Sequence, residues 1–268
     1  MNEKQGKFLF LGTGGSMGIP VIGCHCPVCR SKSSFNKRLR PSGLTSIGHK
    51  KLLIDCGPDF RAQALRHNID DIDLLLLTHA HHDHIGGIDE LRAFYLRSKK
   101  TIPCILSKHT KRDLVSRYPY IFEASNGDSK LISKIALNLL PDEPFGRIDF
   151  QNIPIEYVTF EQTGMLVNGF RFGNFAYLSD IRLYSEEIFK HLVGVETLVL
   201  SALRHDPSPC HFSIKEAIAF SERVGASHTW LTHIAHDLDH DITNARLPLN
   251  VRMAYDGLEL DFNIPAKQ

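Results

Sequence analysis

A run of four leucines that ends in a cluster of histidines is the feature that most constrains this chain. Leu74–Leu77 form a short, entirely apolar run, which is typical of a strand buried on both faces. Residues 79–84, HAHHDH, then bring four histidines and one aspartate. Packing offers no ordinary use for so many ionisable side chains, whereas imidazole and carboxylate are good ligands for zinc. The sequence therefore predicts a metal site at the end of a buried strand.

The spacing within this cluster indicates which side chains share the site. His79 and His81 lie two residues apart where an extended chain leaves the core, so both imidazoles can point to one side. Asp83 and His84 follow the turn, whereas His82 lies between these positions and is expected to face outward. The alternative is a solvated polar turn whose histidines only cap the next helix.

Short apolar strands alternate with amphipathic helices along the 268 residues, which indicates an α/β protein that is large enough to bury a full core. The strand-rich halves favour a four-layer αββα sandwich of two mixed sheets with helices outside, formed as one domain over 1–268. We expect a helix over about 213–224 and a last strand over 251–260. The polar stretch 123–150 is interpreted as an insertion or lid.

The charge balance bears on possible partners. Lys plus Arg (31) nearly equals Asp plus Glu (30), so the overall charge gives no reason to expect binding to nucleic acid or to an anionic membrane. No apolar run reaches the roughly 18 residues of a membrane span, and the N-terminal one is shorter than the core of a signal peptide. We expect a cytoplasmic protein with a small substrate, and a homodimer remains open.

Three cysteines close to the N-terminus predict a second metal site. GCHCPVCRS contains Cys24, Cys26 and Cys29, which offer three of the four ligands of a structural zinc ion. His25 lies between two of these cysteines and is sterically unsuited to the same ion, so His236 in THIAH is the expected fourth ligand. This zinc-clip loop would extend over 18–32. Free reactive thiols are the alternative.

The histidine cluster also carries a family resemblance. THAHHDHIGG matches the pattern T-H-x-H-x-D-H-x-x-G, and in this the chain resembles the metallo-β-lactamase superfamily of binuclear hydrolases. The resemblance implies an active site with up to two metal ions. His79 and His81 would bind the first ion, and Asp83 and His84 would bind the second.

The same resemblance assigns residues far along the chain. Asp180, which ends the predicted strand FAYLSD, would bridge the two ions, and His233 would be the last ligand of the second. Asp55 would accept a hydrogen bond from a histidine of the first ion and so orient it. A simple carboxylate at a strand end is the alternative for Asp55.

One position departs from the superfamily pattern. The superfamily has a third histidine for the first ion, seven residues before a glycine, and here Gln162 stands seven residues before Gly169. An amide oxygen is a weaker zinc ligand than imidazole and favours harder ions such as Mn²⁺ or Mg²⁺. We expect Zn²⁺ or Mn²⁺ with a weak first ion. The chain is then either a hydrolase with an altered metal preference or a relative that has lost its chemistry.

Further motifs narrow the resemblance. GTGGSMGIPVIGCHCPVC, CHFSIKEA and LTHIAHDL are similar to the PhnP group of cyclic-phosphate phosphodiesterases. This group carries the structural zinc clip and a general-acid histidine 22 residues before the last ligand, which is His211 here. The implied function is hydrolysis of a small, cyclic phosphodiester by metal-activated hydroxide, with His211 and Asp83 as catalytic residues. For His211 the alternative is a histidine that merely precedes a helix.

Other members of the superfamily supply the rival functions. A tRNA 3′-processing nuclease would need a more basic surface than the runs SKSSFNKRLR and RSKK provide. A thiolester hydrolase would use the same scaffold. A non-hydrolytic, ligand- or metal-binding relative similar to PqqB is the alternative that Gln162 keeps open.

Overall fold

The computed structural model describes residues 4–123 and 133–265, which contain two seven-stranded sheets. One apolar cluster lies between the sheets, and two further clusters join the outer face of each sheet to its helices. The αββα sandwich that the sequence predicts is therefore confirmed. Among the described residues, no helix combines the length and hydrophobicity needed to cross a bilayer.

Each sheet is antiparallel in one half and parallel in the other, and strands are numbered in chain order. The first sheet has the order β14-β1-β2-β3-β4-β5-β6 and is parallel from β3 to β6. Its strands are β1 (Lys4–Gly12), β2 (Ser42–Ile47), β3 (Lys50–Ile54), β4 (Leu74–Leu76), β5 (Ile102–Leu106), β6 (Ile135–Leu139) and β14 (Glu259–Ile264).

The second sheet has the order β13-β12-β11-β10-β9-β8-β7 and is parallel from β10 to β13. Its strands are β7 (Phe145–Phe150), β8 (Ile153–Gln162), β9 (Met165–Phe172), β10 (Phe175–Leu178), β11 (Thr197–Ser201), β12 (His228–Thr232) and β13 (Val251–Met253). The parallel halves of both sheets supply the strand ends that lead to the candidate site.

The helices of the described residues are mostly short. They are α1 (Pro27–Arg30), α2 (Phe60–Arg66), α3 (His82–Ile85), α4 (Arg92–Ser98), α5 (Lys108–Arg117), α6 (Pro119–Phe122), α7 (Ile188–His191), α8 (Ile214–Val224) and α9 (His240–Asn244). In α8, which follows the predicted helix closely, Ser213 and Glu216 form a capping box and Gly225 ends the helix at φ 74°. This firmly capped helix fixes the loop before it.

The leucine run is buried on both faces, as its sequence predicts. Leu74 and Leu76 pack between the two sheets, whereas Leu75 and Leu77 pack under the helices of the first sheet. Burying one leucine side chain stabilises a fold by roughly 1.5–3 kcal/mol. The strand is therefore a rigid support for the histidines that follow it.

Two expectations from the sequence need correction. The stretch 251–260 is not one strand, because β13 belongs to the second sheet and β14 pairs with β1 in the first. Gly257, at φ 97°, lies in the connecting turn and adopts a conformation that glycine readily allows. Within 123–150, β6 and β7 extend the two sheets, so the described part 133–150 is not a lid. Residues 124–132 lie outside the described residues.

Candidate metal centre

Three candidate site residues follow strand ends in an uncommon backbone conformation. Asp55 follows β3, Asp180 comes just after β10 and His233 follows β12. Their φ values are 61°, 61° and 59°. Left-handed φ is uncommon for residues other than glycine, and such strain concentrates at functional sites. The shared conformation marks the point where both sheets meet at one edge of the sandwich.

Two carboxylates and two imidazoles form the centre of the cluster. Asp180 Oδ2 lies 3.2 Å from His84 Nε2, and Asp180 Oδ1 lies 3.3 Å from His233 Nε2. Asp83 Oδ2 lies 3.5 Å and 3.3 Å from the same two nitrogens. Residues from both sheets thus converge, as the sequence predicts.

The remaining histidines of the cluster lie beside this centre. His79 Nε2 is 3.0 Å from His81 Nδ1. Ligand atoms of His79, His84 and Asp180 lie within 4.8 Å of one another, which is close enough to bind one ion. His82 is exposed, as expected, but it also lines the cavity that leads to the cluster.

Asp55 lies behind the cluster and holds it in place. His84 Nδ1 donates to Asp55 Oδ2 at 2.7 Å, and the Thr78 amide donates to Asp55 Oδ1 at 2.9 Å. The Thr78 hydroxyl also donates to Asp55 Oδ2 at 2.8 Å and lies 2.9 Å from His79 Nδ1. Asp55 thus accepts a hydrogen bond from an imidazole of the cluster, and its partner is His84, which the resemblance assigns to the second ion, rather than His79 or His81.

We expect Asp55→Asn to weaken metal binding by about 10- to 100-fold, because outer partners orient metal-binding imidazoles. Asparagine tolerates a left-handed φ, so the turn at this position keeps its shape. Chelator competition measures the metal affinity, with the exposed Asp206→Asn as the matched control. An unchanged affinity would contradict the role given to Asp55.

The charges of the cluster depend strongly on one another. Burial opposes ionisation of Asp180, but the imidazoles of His233 and His84 outweigh it and hold the pKa of Asp180 well below its usual range. Burial likewise disfavours protonation of His84, but the carboxylates of Asp180 and Asp83 raise the pKa of His84 well above its usual value. Protons on these imidazoles thus balance the negative charge of the ionised carboxylates. A bound divalent cation would replace those protons.

The donor set fits a divalent cation. His84 Nε2 is buried and has no hydrogen-bond partner, although it lies near two carboxylates. A buried nitrogen without a partner is costly, and coordination to a cation would satisfy it. With its Nδ1 fixed by Asp55, the imidazole has its Nε2 free for an ion.

Gln162 does not present an oxygen to the cluster. Its Nε2 donates to Asp180 Oδ1 at 3.0 Å and lies 3.1 Å from His211 Nε2, while its Oε1 has no hydrogen-bond partner. In this structure Gln162 is a hydrogen-bond donor to the cluster, and its doubtful assignment as a metal ligand stays a prediction. The amide links the central carboxylate to His211.

His211 faces the cluster rather than its own helix. Its Nδ1 lies 3.4 Å from Asp180 Oδ1, and its ring stacks on His233 at 4.6 Å between centroids. The helix that follows is capped by Ser213 and needs no contribution from His211. Burial, and then the neighbouring His233, lower the pKa of His211 to about 4, so the ring accepts the Gln162 N–H as a neutral imidazole.

An open cavity of about 500 Å³ gives access to the cluster. Five of its lining residues were not predicted to belong to the site, namely Ser16, His82, Thr163, Met165 and Cys210. The sequence pointed only to His82, which lies in HAHHDH, and to Ser16, which lies in the glycine-rich GTGGSMG. A Cβ on Gly15 would lie 3.3 Å from the His233 ring, so the small residue lets this loop approach the cluster.

The cysteine clip converges as its spacing predicts. Sulfur atoms of Cys24, Cys26 and Cys29 lie 3.3, 3.5 and 3.6 Å from His236 Nδ1. The Cys29 amide donates to Cys26 Sγ and lowers the pKa of Cys26 to about 6, which favours the thiolate that binds zinc. Because His236 follows His233 by three residues, the clip lies close to the metal centre in sequence.

A family model for the β-lactamase superfamily domain matches residues 50–234. The chain belongs to the β-lactamase superfamily. Within it, the crystal structure of a diphosphatase from the PhnP family has 35% sequence identity and a TM-score of 0.90, and the match covers 98% of this chain and 99% of that one. This superfamily member is thus a PhnP-like hydrolase, and it carries residues that can bind divalent metal ions. The resemblance expected from the sequence is confirmed.

Two other comparisons extend the superfamily assignment. An octanoyltransferase of Porphyromonas gingivalis is 33% identical over 257 residues, which make up 94% of this chain but 51% of that protein. The chain thus spans about half the length of that relative. Zn²⁺-bound PqqB from Methylobacterium extorquens has 16% identity and a TM-score of 0.75, covering 96% of this chain and 100% of that one, and shares the fold.

Proposed function

We propose that this chain is a metal-dependent phosphodiesterase that hydrolyses a small phosphodiester, with cyclic phosphates as the first candidates. One observation carries the proposal: six ligand-type residues from both sheets line or adjoin one cavity together with His211. The residues that would hold one or two ions, Zn²⁺ or Mn²⁺, are His79, His81, Asp83, His84, Asp180 and His233. When bound, such cations lower the pKa of water and stabilise charge on phosphate oxygens.

The side chains around the ligands supply proton transfer and orientation. His211 lines the cavity and is placed to give a proton to the departing oxygen. A phosphate anion beside its imidazole favours the protonated form that donates. Gln162 holds His211 and Asp180 in fixed positions through its amide. Asp83 lines the same cavity and, as an ionised carboxylate, can accept a hydrogen bond from the attacking water.

Replacing His211 with alanine is expected to lower kcat by about 10²- to 10⁴-fold, the range for a lost general acid. Metal content should stay the same, because the proposal gives His211 no role as a ligand. Hydrolysis of bis(p-nitrophenyl) phosphate and elemental analysis measure the two quantities, with the exposed His205→Ala as control. Loss of metal in the His211 variant would overturn the acid assignment.

A substrate panel separates this proposal from its rivals. The relative named octanoyltransferase is the specific reason to include an octanoyl thioester beside bis(p-nitrophenyl) phosphate. Precursor tRNA tests for a nuclease, although we propose that nucleic acid is not the substrate. Preference for the thioester or the tRNA would contradict the phosphodiesterase proposal. A PqqB-like binding protein would hold metal and turn over none of the three.

A further inference from the structure

Besides imidazoles, carboxylates and Gln162, four described residues line the cavity that leads to the metal centre. They are Ser16, Thr163, Met165 and Cys210. The first two are exposed and the last two are half-buried, so a bound molecule can reach all four side chains. Their hydroxyl, thioether and thiol groups carry no charge at neutral pH. We therefore call these four residues the uncharged lining.

The glycine-rich loop places Ser16 beside the cluster. The Gly15 amide donates to the Ile234 carbonyl at 2.9 Å, which attaches the loop to the residue that follows His233. The Gly18 amide donates to the Gly15 carbonyl at 2.9 Å and closes a turn that contains Ser16. Backbone hydrogen bonds therefore hold this part of the uncharged lining at the edge of the metal centre.

The β8–β9 hairpin places Thr163 and Met165. Met165 pairs with Gln162, whose amide donates to Asp180, so the hairpin is linked directly to the metal centre. Thr163 lies at the tip of the hairpin with a φ of 48°, which is a strained conformation for a β-branched residue. Strain of this kind concentrates at ligand-binding and catalytic sites, and here the strained residue lines the cavity.

The cavity offers no basic side chain for a second anionic group. In the described part of the chain, no lysine or arginine lines it. Two arginines that adjoin the cluster have other partners. Arg182, two residues after Asp180, pairs with Glu216 at 2.6 Å, and Arg117 donates to the Ala80 carbonyl at 2.7 Å. A phosphate at the centre would use the positive charge of the bound ions, so a second anionic group would lie against the uncharged lining without a cation.

We propose that the uncharged lining is a subsite for the uncharged organic group of a phosphodiester and that it selects against substrates with a second anionic group. This inference rests on the proposed phosphodiesterase function and names the class of substrate. The hydroxyl groups of Ser16 and Thr163 would donate to neutral oxygen or nitrogen atoms of the organic group. The sulfur atoms of Met165 and Cys210 would contact its apolar or aromatic parts. Phosphodiesters without a further phosphate or carboxylate are therefore the expected substrates.

Two phosphonates that differ in one remote charge test the proposal. The compounds p-methylphenylphosphonate and p-carboxyphenylphosphonate offer the same anionic group to the metal centre, but only the second has a carboxylate at the far end of its ring. We expect calorimetric titration of the Mn²⁺-loaded full chain to show at least about tenfold tighter binding of the methyl compound. Equal affinities, tighter binding of the carboxylate, or no binding of either compound would overturn the proposal.

A positive charge added to the uncharged lining should remove this preference. Met165→Lys keeps a side chain of similar length and should raise the affinity for p-carboxyphenylphosphonate by about tenfold. Thr163→Lys adds the same charge at the exposed tip of the hairpin, away from the core, and should act in the same direction. Leu166→Lys is the matched control, because Leu166 is 37% exposed and lies on the opposite face of the strand, where it lines a different cavity. An unchanged preference in both Met165→Lys and Thr163→Lys would place the organic group elsewhere and overturn the proposal.

Hydrolysis of bis(p-nitrophenyl) phosphate, which has no second anionic group, separates this proposal from the proposed function. If hydrolysis occurs but the two phosphonates bind equally well, the phosphodiesterase proposal stands and the subsite fails. If no hydrolysis occurs but p-methylphenylphosphonate binds more tightly and Met165→Lys removes the difference, the phosphodiesterase proposal fails. The uncharged lining then stands as a binding site for the uncharged group of a phosphonate or phosphate.

Discussion

Asp180→Asn is expected to lower kcat/KM for phosphodiester hydrolysis by at least about a thousandfold, which corresponds to roughly 4 kcal/mol of lost transition-state stabilisation. Asp180 contacts His84 from the first sheet, His233 from the second and the amide of Gln162. The substitution keeps the size of the side chain and removes its charge. We therefore expect it to remove bound metal from the centre as well as activity.

The position of Asp180 makes this variant a clean test. Its φ of 61° is a conformation that asparagine tolerates, so the chain should fold normally. Thermal unfolding of the metal-free protein checks the fold, and elemental analysis gives the metal content. Asp261→Asn, at an exposed position of β14, is the control. A variant that kept full activity would contradict the whole assignment of the centre.

Cys26→Ser is expected to cause the largest loss of stability. The three cysteines and His236 converge on one point, and structural zinc sites supply a large part of the folding free energy of the segments they bind. We expect the free energy of unfolding to fall by more than about 4 kcal/mol and the midpoint of thermal unfolding by at least about 8 °C.

Zinc content distinguishes this effect from a simple packing defect. The variant should contain one zinc ion fewer per chain, and a strong chelator should destabilise the parent protein more than the variant, which keeps only the ions of the metal centre. Cys210→Ser is the matched control, because Cys210 lies outside the cysteine cluster. Equal zinc content and equal stability in Cys26→Ser and the parent would contradict the structural site.

The sequence predicted those parts of the site that short motifs encode. HAHHDH follows a run whose burial is evident from its composition, so the position of the histidines at a strand end could be read directly. The cysteine clip could be predicted equally well, because the spacing of the three thiols implies a shared ion and a fourth ligand. The αββα fold followed from the alternation of strands and helices.

Other features depend on contacts that no local pattern encodes. The pairing of Asp55 with His84 arises because β3 ends beside α3, and the orientation of Gln162 depends on the position of Asp180. β6 was missed because it is a half-exposed edge strand with a weak hydrophobic pattern. A second cavity, of about 370 Å³, could not be predicted because its walls come from distant segments of both sheets.

The pairing of β1 with β14 has a consequence for biosynthesis. These strands lie at opposite ends of the described chain, with Lys4 opposite Ile264. During translation, the first sheet therefore lacks this edge strand until β14 has left the ribosome, although the histidines after β4 emerge much earlier. Non-local pairing of this kind slows folding. Nascent chains would thus carry exposed imidazoles and thiols before the sandwich closes, a period in which chaperones and metal supply could decide the yield of active protein.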